Sequence, residues 1–152
     1  MNPKIWGPYA WFFIHSIALN YPKNPTFKNK LDYSNFFKSL IYVLPCEKCS
    51  IGYNKNIINN PIDNNLDNTE QLFHWTVDIH NMVNRETNKK TLNYQEAYDL
   101  HMNKYNHINI DNNIDNINYY KKYNNIQTFI IIFLIIIIAV LFFKKKIINY
   151  IK

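Results

Sequence analysis

The chain is poor in glycine, with only Gly7 and Gly52 among its 152 residues. Phosphate-binding loops such as GxGxxG and the Walker loop need several closely spaced glycines, so that the backbone can approach a phosphate. Neither motif can be written on this sequence. A nucleotide cofactor would therefore have to be held between helices and by aromatic side chains.

Several other signals are missing. The net charge is +6, but the sequence has no run of basic residues interleaved with aromatics, the pattern that binds a nucleic-acid backbone. No nucleic-acid partner is therefore expected. The N-terminus does not show the basic segment, apolar run and small-residue cleavage site of a signal peptide, so a cleaved signal peptide is not expected. Strand-like alternation is also absent, which predicts an all-α fold.

Helical periodicity and capping signals predict five helices in residues 1–105. Gly7-Pro8 suits the start of the first, because the missing N–H of proline costs nothing at the first helical position. Asp67 or Asn68 can cap the fourth, and Asn93 with Glu96 resembles a capping box for the fifth. The five predicted helices cover Pro8 to Leu19, Phe27 to Leu44, Cys46 to about Ile58, the segment after Asn68, and the segment from Asn93 to about Tyr105.

The C-terminal third changes character. Residues 106–125 are polar and rich in asparagine, which predicts a linker. Residues 126–143 approach the ~18 to 20 apolar residues that a membrane-spanning helix needs, and residues 144–152 form a basic tail. The positive-inside rule would keep that tail cytosolic. A tail anchor without a signal peptide would give the opposite orientation, with the N-terminal domain in the cytosol. We expect this second orientation, because the exported tail would be only nine residues long.

The only two cysteines are spaced Cys46-x-x-Cys49 and follow Pro45. At the start of a helix this spacing lets the sulfurs bond, and the helix N-terminus stabilises a thiolate. The pattern therefore favours redox exchange. The alternatives are a zinc site, for which His74 and His80 are loosely spaced, a thioredoxin-like protein, which needs a βαβ unit, and two unreactive thiols.

Thiols react slowly with oxygen, so an oxidase also needs a two-electron acceptor. Three groups of side chains could hold a flat nucleotide: rings on the first helix, a polar face on the fourth, and lysines beyond it. Taken singly, each of these groups could also consist of ordinary core or solvent-exposed residues. The groups are Trp11 with His15, His80 with Asn81 and Asn84, and Lys89 with Lys90.

Taken together, the segments WGPYAWFFIH, PCEKC and LFHWTVDIHNMVNRETNKK closely resemble the ERV/ALR family of FAD-linked sulfhydryl oxidases, of the type carried by large cytoplasmic DNA viruses. The resemblance covers about residues 4 to 105. It implies a four-helix bundle with a short fifth helix, noncovalently bound FAD, a homodimer, and transfer of electrons from protein dithiols to O2, giving H2O2.

The resemblance also assigns residues. It implies that Cys49 lies against the flavin as the charge-transfer thiolate and that Cys46 is the outer, exchanging thiol. The residues that it places around FAD are Gly7, Trp11, His15, Tyr21, Cys49, His80, Asn81, Val83, Asn84 and Lys89. No metal ligand is implied.

Three departures from the family pattern stand out. Pro8 occupies a position at which members often carry an arginine, so this chain departs from the family at one expected cofactor contact. Val77 and Tyr94 replace a structural disulfide of cellular members. No further cysteine pair can act as a shuttle, so the substrate, a thioredoxin-like or CxxC protein, must reach Cys46 directly.

Cytosolic thiols are normally kept reduced, whereas viruses that assemble in the cytoplasm carry compact oxidases. We therefore expect a single-pass protein of a virion or host cytoplasmic membrane, with its catalytic domain in the cytosol. The competing hypotheses are a membrane-tethered zinc-binding adaptor without catalysis and an oxidase-like scaffold that has lost FAD.

Overall fold

A computed structural model describes the backbone of residues 1–151. It describes the side chains of residues 1–135 except 109, 112, 116, 120, 123, 129, 132 and 134. The chain divides into two units, Met1–Asn103 and Lys104–Lys152.

The described backbone is helical and contains no strand, which confirms the all-α class. A 3-10 turn, Ile62–Asn65, lies between the third and fourth helices and was not predicted. The helices are α1 Pro3–Leu19, α2 Phe27–Val43, α3 Glu47–Asn59, α4 Thr69–Glu86 and α5 Tyr94–Ile151.

The predicted start of α1 at Pro8 is wrong, because the helix begins at Pro3. Asn2 is the N-cap, and its side-chain oxygen accepts a hydrogen bond from the Lys4 N–H. Asparagine is a strong N-cap, and Pro3 then takes the first helical position, where its missing N–H costs nothing. Pro8 therefore lies inside the helix, where it cannot donate a hydrogen bond to the Lys4 carbonyl.

Side-chain caps define three further helix starts. A reciprocal capping box at Thr26 and Asn29 opens α2, and Asn68 caps α4. Before α5, the Asn93 N–H donates to Glu96 Oε2 at 2.9 Å and the Glu96 N–H donates to Asn93 Oδ1 at 2.8 Å. The predicted caps of α4 and α5 are confirmed.

Helix α4 is central to the first unit, since α1, α3 and the 3-10 turn all pack against it, and α2 packs against α3 and the turn. On α1 the buried side chains are those of Ile14, His15 and Ala18. The most deeply buried large side chains are Trp75, Phe37, Ile62, Leu72 and Ile79. This core fixes α1 and α4 side by side.

The prediction that the fifth helix is short and ends near Tyr105 is wrong, because α5 continues to Ile151. No proline or glycine occurs between residues 94 and 151, and asparagine lowers helix propensity only modestly. The predicted linker 106–125 is therefore helical, while its role between two parts of the chain stays a prediction.

Within the described residues, no helix combines the length and apolar character that a membrane crossing requires. The predicted span 126–143 has most of its side chains outside the described residues, and the basic tail 144–152 has all of them there.

Candidate active site

Cys46 and Cys49 form a disulfide, with their Cα atoms 5.2 Å apart. Pro45 follows the end of α2, and Cys46 is then the N-cap of α3. The Cys49 N–H donates to Cys46 Sγ at 3.3 Å. Both cysteines are half-buried, whereas Glu47 and Lys48 between them are exposed.

This placement suits reversible thiol chemistry. Two sulfurs one helical turn apart can form a disulfide without large backbone movement. The α3 N-terminus and the Cys49 N–H would stabilise a thiolate on Cys46 after the disulfide opens. While the disulfide is closed, neither sulfur is available as a zinc thiolate. The described residues also contain no group of three or more His, Cys, Asp or Glu side chains arranged for a metal ion.

Three rings from α1 and α4 form a stacked cluster in the first unit. The Trp11 indole stacks on the His80 imidazole with ring centroids 4.0 Å apart and an interplanar angle of 7°. It also stacks on His15, at 5.9 Å and 26°. The structure thus brings together three of the predicted cofactor residues, and flat rings of this kind can pack against a further aromatic ring system.

Hydrogen bonds hold the two imidazoles of this cluster. His15 Nε2 lies 3.1 Å from His80 Nδ1, and His15 Nδ1 lies 2.9 Å from Thr76 Oγ1. Burial, followed by the neighbouring His80 and His101, lowers the pKa of His15 to about 3. Burial, followed by the charge of Lys89, lowers the pKa of His80 to about 4. Both rings are therefore neutral at pH 7.

A fourth ring, His101 of α5, was missed from the sequence. It is buried, stacks on Phe12 with centroids 4.7 Å apart, and lies 3.4 Å from Ser16 Oγ through its Nε2. Its centroid is 6.2 Å from that of His15. His101 extends the aromatic cluster toward α5. In the sequence, the only signal for its burial is its position on the predicted fifth helix, seven residues after Tyr94.

The two predicted asparagines of α4 differ in their surroundings. The Asn81 amide donates to the Leu92 carbonyl at 2.8 Å and accepts from the Leu92 N–H at 3.0 Å, which fixes the segment before α5. Asn84 is 8% exposed, and its side chain makes no hydrogen bond to another described residue. Asn84 is therefore the better placed of the two to bind a ligand. Val83 is half-buried on the same helix.

The remaining predicted residues are dispersed. Tyr21 is buried, and its hydroxyl donates to the Leu66 carbonyl at 2.9 Å, so its polar group has a structural role. Lys89 is exposed beyond the end of α4, and its charge acts on His80. A Cβ added to Gly7 would meet no atom within 4 Å, so the space beside this part of α1 is open.

Two buried donors have no partner among the described residues: the Trp6 indole N–H and the Asn56 amide nitrogen. An unpaired buried donor costs about 1 to 3 kcal/mol, and a ligand with acceptor atoms can remove that cost. A flavin ring carries carbonyl oxygens and bare nitrogens that accept such bonds. The stacked rings, the cationic Lys89 and these unpaired donors are the kinds of group that FAD requires.

An open cavity of about 340 Å³ lies elsewhere, between the end of α1, α4 and the start of α5. None of the predicted site residues lines it. We therefore locate the candidate site at the disulfide and the ring cluster. The cavity is lined by Leu19, Thr69, Glu70, Phe73, His74, Tyr94, Gln95 and Tyr98.

Comparison with known proteins agrees with this geometry. The family model of the Erv1/Alr family matches residues 8–106. The chain belongs to the Erv1/Alr family. The matched residues contain the Cys46–Cys49 disulfide and the rings of Trp11, His15 and His80, so the resemblance inferred from the sequence is confirmed.

Two viral proteins are similar to this chain. A protein of Acanthamoeba polyphaga mimivirus, named a "probable FAD-linked sulfhydryl oxidase", is 50% identical over 100 residues, 65% of this chain and 70% of its own length. An FAD-linked sulfhydryl oxidase of African swine fever virus is 30% identical over 96 residues, 63% and 79% of the two chains. The FAD-binding domain of Erv1 from Saccharomyces cerevisiae aligns with a TM-score of 0.59 and 27% identity, over 62% of this chain and 89% of that domain.

Proposed function

We propose that this protein is an FAD-dependent thiol oxidase that introduces disulfides into protein dithiols. The observation that carries the proposal is the Cys46–Cys49 disulfide at the N-terminus of α3, within the part of the chain that matches the Erv1/Alr family. Relatives in two viruses are named FAD-linked sulfhydryl oxidases.

The residues proposed to hold FAD are those whose surroundings suit a flat, partly anionic ligand. Trp11, His15 and His80 offer ring faces, Asn84 offers an amide, and Lys89 offers a positive charge for the pyrophosphate. When bound, FAD supplies a two-electron acceptor and passes the electrons to O2, giving H2O2. Cys49 is proposed as the sulfur on the flavin side and Cys46 as the sulfur that meets the substrate.

The disulfide exchange follows from the two cysteines. A substrate thiolate attacks Cys46 Sγ, the Cys46–Cys49 bond breaks, and Cys49 leaves as a thiolate. A second substrate thiolate then attacks the substrate sulfur of the mixed disulfide and releases Cys46. The substrate loses two electrons, which the cysteine pair gains. The helix N-terminus and the Cys49 N–H stabilise the released Cys46 thiolate.

The substrate is proposed to be a protein with a dithiol, of the thioredoxin-like or CxxC kind. This chain carries no third cysteine, so no internal pair can relay oxidation to Cys46. The half-buried position of Cys46 requires a partner thiol that can approach α3 closely.

Oxygen uptake with dithiothreitol tests the proposal on the full chain in mild detergent. Cys46→Ser and Cys49→Ser each remove one sulfur and should abolish uptake. Ser39→Ala, an exposed position on α2, is the matched control and should keep wild-type uptake. Undiminished uptake in either cysteine variant would refute the assignment.

The membrane attachment, assembly and location are also proposals. The apolar residues 126–143 support a single-pass anchor, and family membership supports a homodimer. We place the protein in a virion or host cytoplasmic membrane with the catalytic domain in the cytosol. Protease protection of the first unit in intact vesicles would contradict this orientation, and a monomer in sedimentation analysis would contradict the dimer.

A further inference from the structure

A chain of hydrogen bonds links α4 to α1 and back to α4. It runs from His80 Nδ1 to His15 Nε2 at 3.1 Å, from His15 Nδ1 to Thr76 Oγ1 at 2.9 Å, and from Thr76 Oγ1 to the Phe73 carbonyl at 2.7 Å. Thr76 is fully buried and His15 is 7% exposed. Its inner members, Thr76 and His15, therefore lie inside the protein, where water does not replace them.

Each proton in this chain can be assigned by elimination. The Phe73 carbonyl has no proton, so the Thr76 hydroxyl must donate to it. That hydroxyl has only one proton, so its oxygen accepts from His15, which places a proton on His15 Nδ1. In a neutral ring His15 Nε2 is then bare and accepts from His80 Nδ1–H. A neutral His80 consequently has an unprotonated Nε2.

We propose that Thr76 is a positioning residue which, through His15, holds His80 in the Nδ1–H form and so makes His80 Nε2 a hydrogen-bond acceptor for bound FAD. This inference rests on the proposed function. Its ligand partner is a donor group of the cofactor, such as a ring N–H, an amino group or a hydroxyl. Phosphate oxygens are excluded at this edge, because they also only accept.

The surroundings keep His80 in this state. The Trp11 indole covers one face of the ring, nearly parallel at 4.0 Å, which resists a rotation that would exchange the two nitrogens. Lys89 is the charged group that acts on His80, whereas His80 and His101 both act on His15. Burial of the His80 ring, followed by the positive charge of Lys89, opposes its protonation and lowers its pKa.

Among the described residues, Thr76 is the hydrogen-bond partner of His15 Nδ1. His80 Nε2 makes no hydrogen bond to a described residue, so this edge of the ring is left for a ligand. Thr76 is fully buried, and its hydroxyl is bonded to His15 and to the Phe73 carbonyl, so it would act on His80 through His15. If a residue without a hydroxyl replaced it, the buried His15 Nδ1–H would lose its acceptor, which is a costly arrangement.

The test compares Thr76→Val, which keeps the shape but removes the hydroxyl, with Thr76→Ser, which keeps the hydroxyl. Long-range 1H–15N spectra of the full chain, labelled at histidine and free of FAD, report which ring nitrogens carry protons, and His80→Gln identifies the His80 signals. We expect an unprotonated His80 Nε2 in the wild type and in Thr76→Ser. In Thr76→Val the His15 proton should move to Nε2, so that His80 carries its proton on Nε2.

The same proteins are then titrated with FAD and followed by flavin fluorescence. Loss of one hydrogen bond predicts about tenfold weaker binding for Thr76→Val, with binding restored in Thr76→Ser. Thr76→Ala repeats the comparison if the valine variant does not fold.

Three results would overturn the inference alone: a protonated His80 Nε2 in the wild type, identical protonation in wild type and Thr76→Val, or altered protonation with unchanged FAD affinity. A wild-type chain that binds no FAD would instead overturn the proposed function and this inference with it. The protonation state of His80 in the ligand-free protein keeps the two failures distinguishable.

Discussion

Acidification from pH 7 to pH 5 is expected to destabilise the first unit through two histidines. The fold lowers the pKa of His15 to about 3 and that of His80 to about 4, chiefly by burial. In the unfolded chain both rings titrate near the ordinary histidine value of about 6.5. Below that pH the unfolded state binds protons that the folded state does not, so stability is present above pH 6.5 and decreases as the pH falls toward 4 and 3.

The magnitude follows from the same values. Each pH unit through which only the unfolded histidine is protonated costs about 1.4 kcal/mol. Between pH 7 and pH 5, His15 should contribute a loss of about 2 kcal/mol. His80 is only half-buried and should add somewhat less, which gives about 3 kcal/mol in total. The lowered pKa values of Asp63 and Glu96 act below pH 5 and do not enter this window.

Urea unfolding followed by tryptophan fluorescence at pH 7, 6 and 5 measures this loss. In His15→Gln the chain should be less stable at pH 7, but its further decrease to pH 5 should be smaller than that of the wild type by about 2 kcal/mol. The control is His107→Gln at an exposed position, which should keep the wild-type pH dependence. Equal stability of the wild type at pH 7 and pH 5, or an unchanged slope in His15→Gln, would refute the reasoning.

Three further outcomes are expected. Asn81→Ala loses both hydrogen bonds to Leu92 and should lower the free energy of unfolding by about 2 kcal/mol. Asn84→Ala should instead weaken FAD binding more than it lowers stability. The reverse pattern, measured by urea unfolding and FAD titration, would be inconsistent with the proposed site. Cys49→Ser should lack any long-wavelength thiolate–flavin absorbance, and its persistence in the visible spectrum would contradict the role given to that sulfur. Tyr94→Phe removes an exposed hydrogen bond to the Asp78 carboxylate on α4, so calorimetry should show a loss of unfolding free energy below about 1 kcal/mol. A larger loss would show that this bond holds the start of α5 more strongly than its exposure allows.

Local signals in the sequence predicted much of the fold. The Asn93 and Glu96 pair formed the expected capping box, because both partners lie within one helical turn. The start of α1 was misplaced because Asn2 and Pro3 form an equally good helix start and Pro8 is tolerated inside the helix. The length of α5 was missed because a polar, asparagine-rich composition weakens a helix without ending it.

The site was predictable only where residue type and spacing carry the chemistry. The Cys46–Cys49 pair lies within one turn, and the motifs around Trp11 and His80 are specific. The contact between His15 and Thr76 joins residues 61 positions apart, and no periodicity reveals such a contact. Trp6 was overlooked for the same reason, since its unpaired N–H becomes visible only when the packing around it is known.

The visible absorption spectrum of the purified full chain tests the central claim most directly. We predict flavin bands that bleach when dithiothreitol is added without oxygen and return when oxygen is admitted, in the wild type but not in Cys46→Ser. A colourless protein, or flavin bands that dithiothreitol leaves unchanged in the wild type, would contradict the assignment of this chain as an FAD-dependent thiol oxidase.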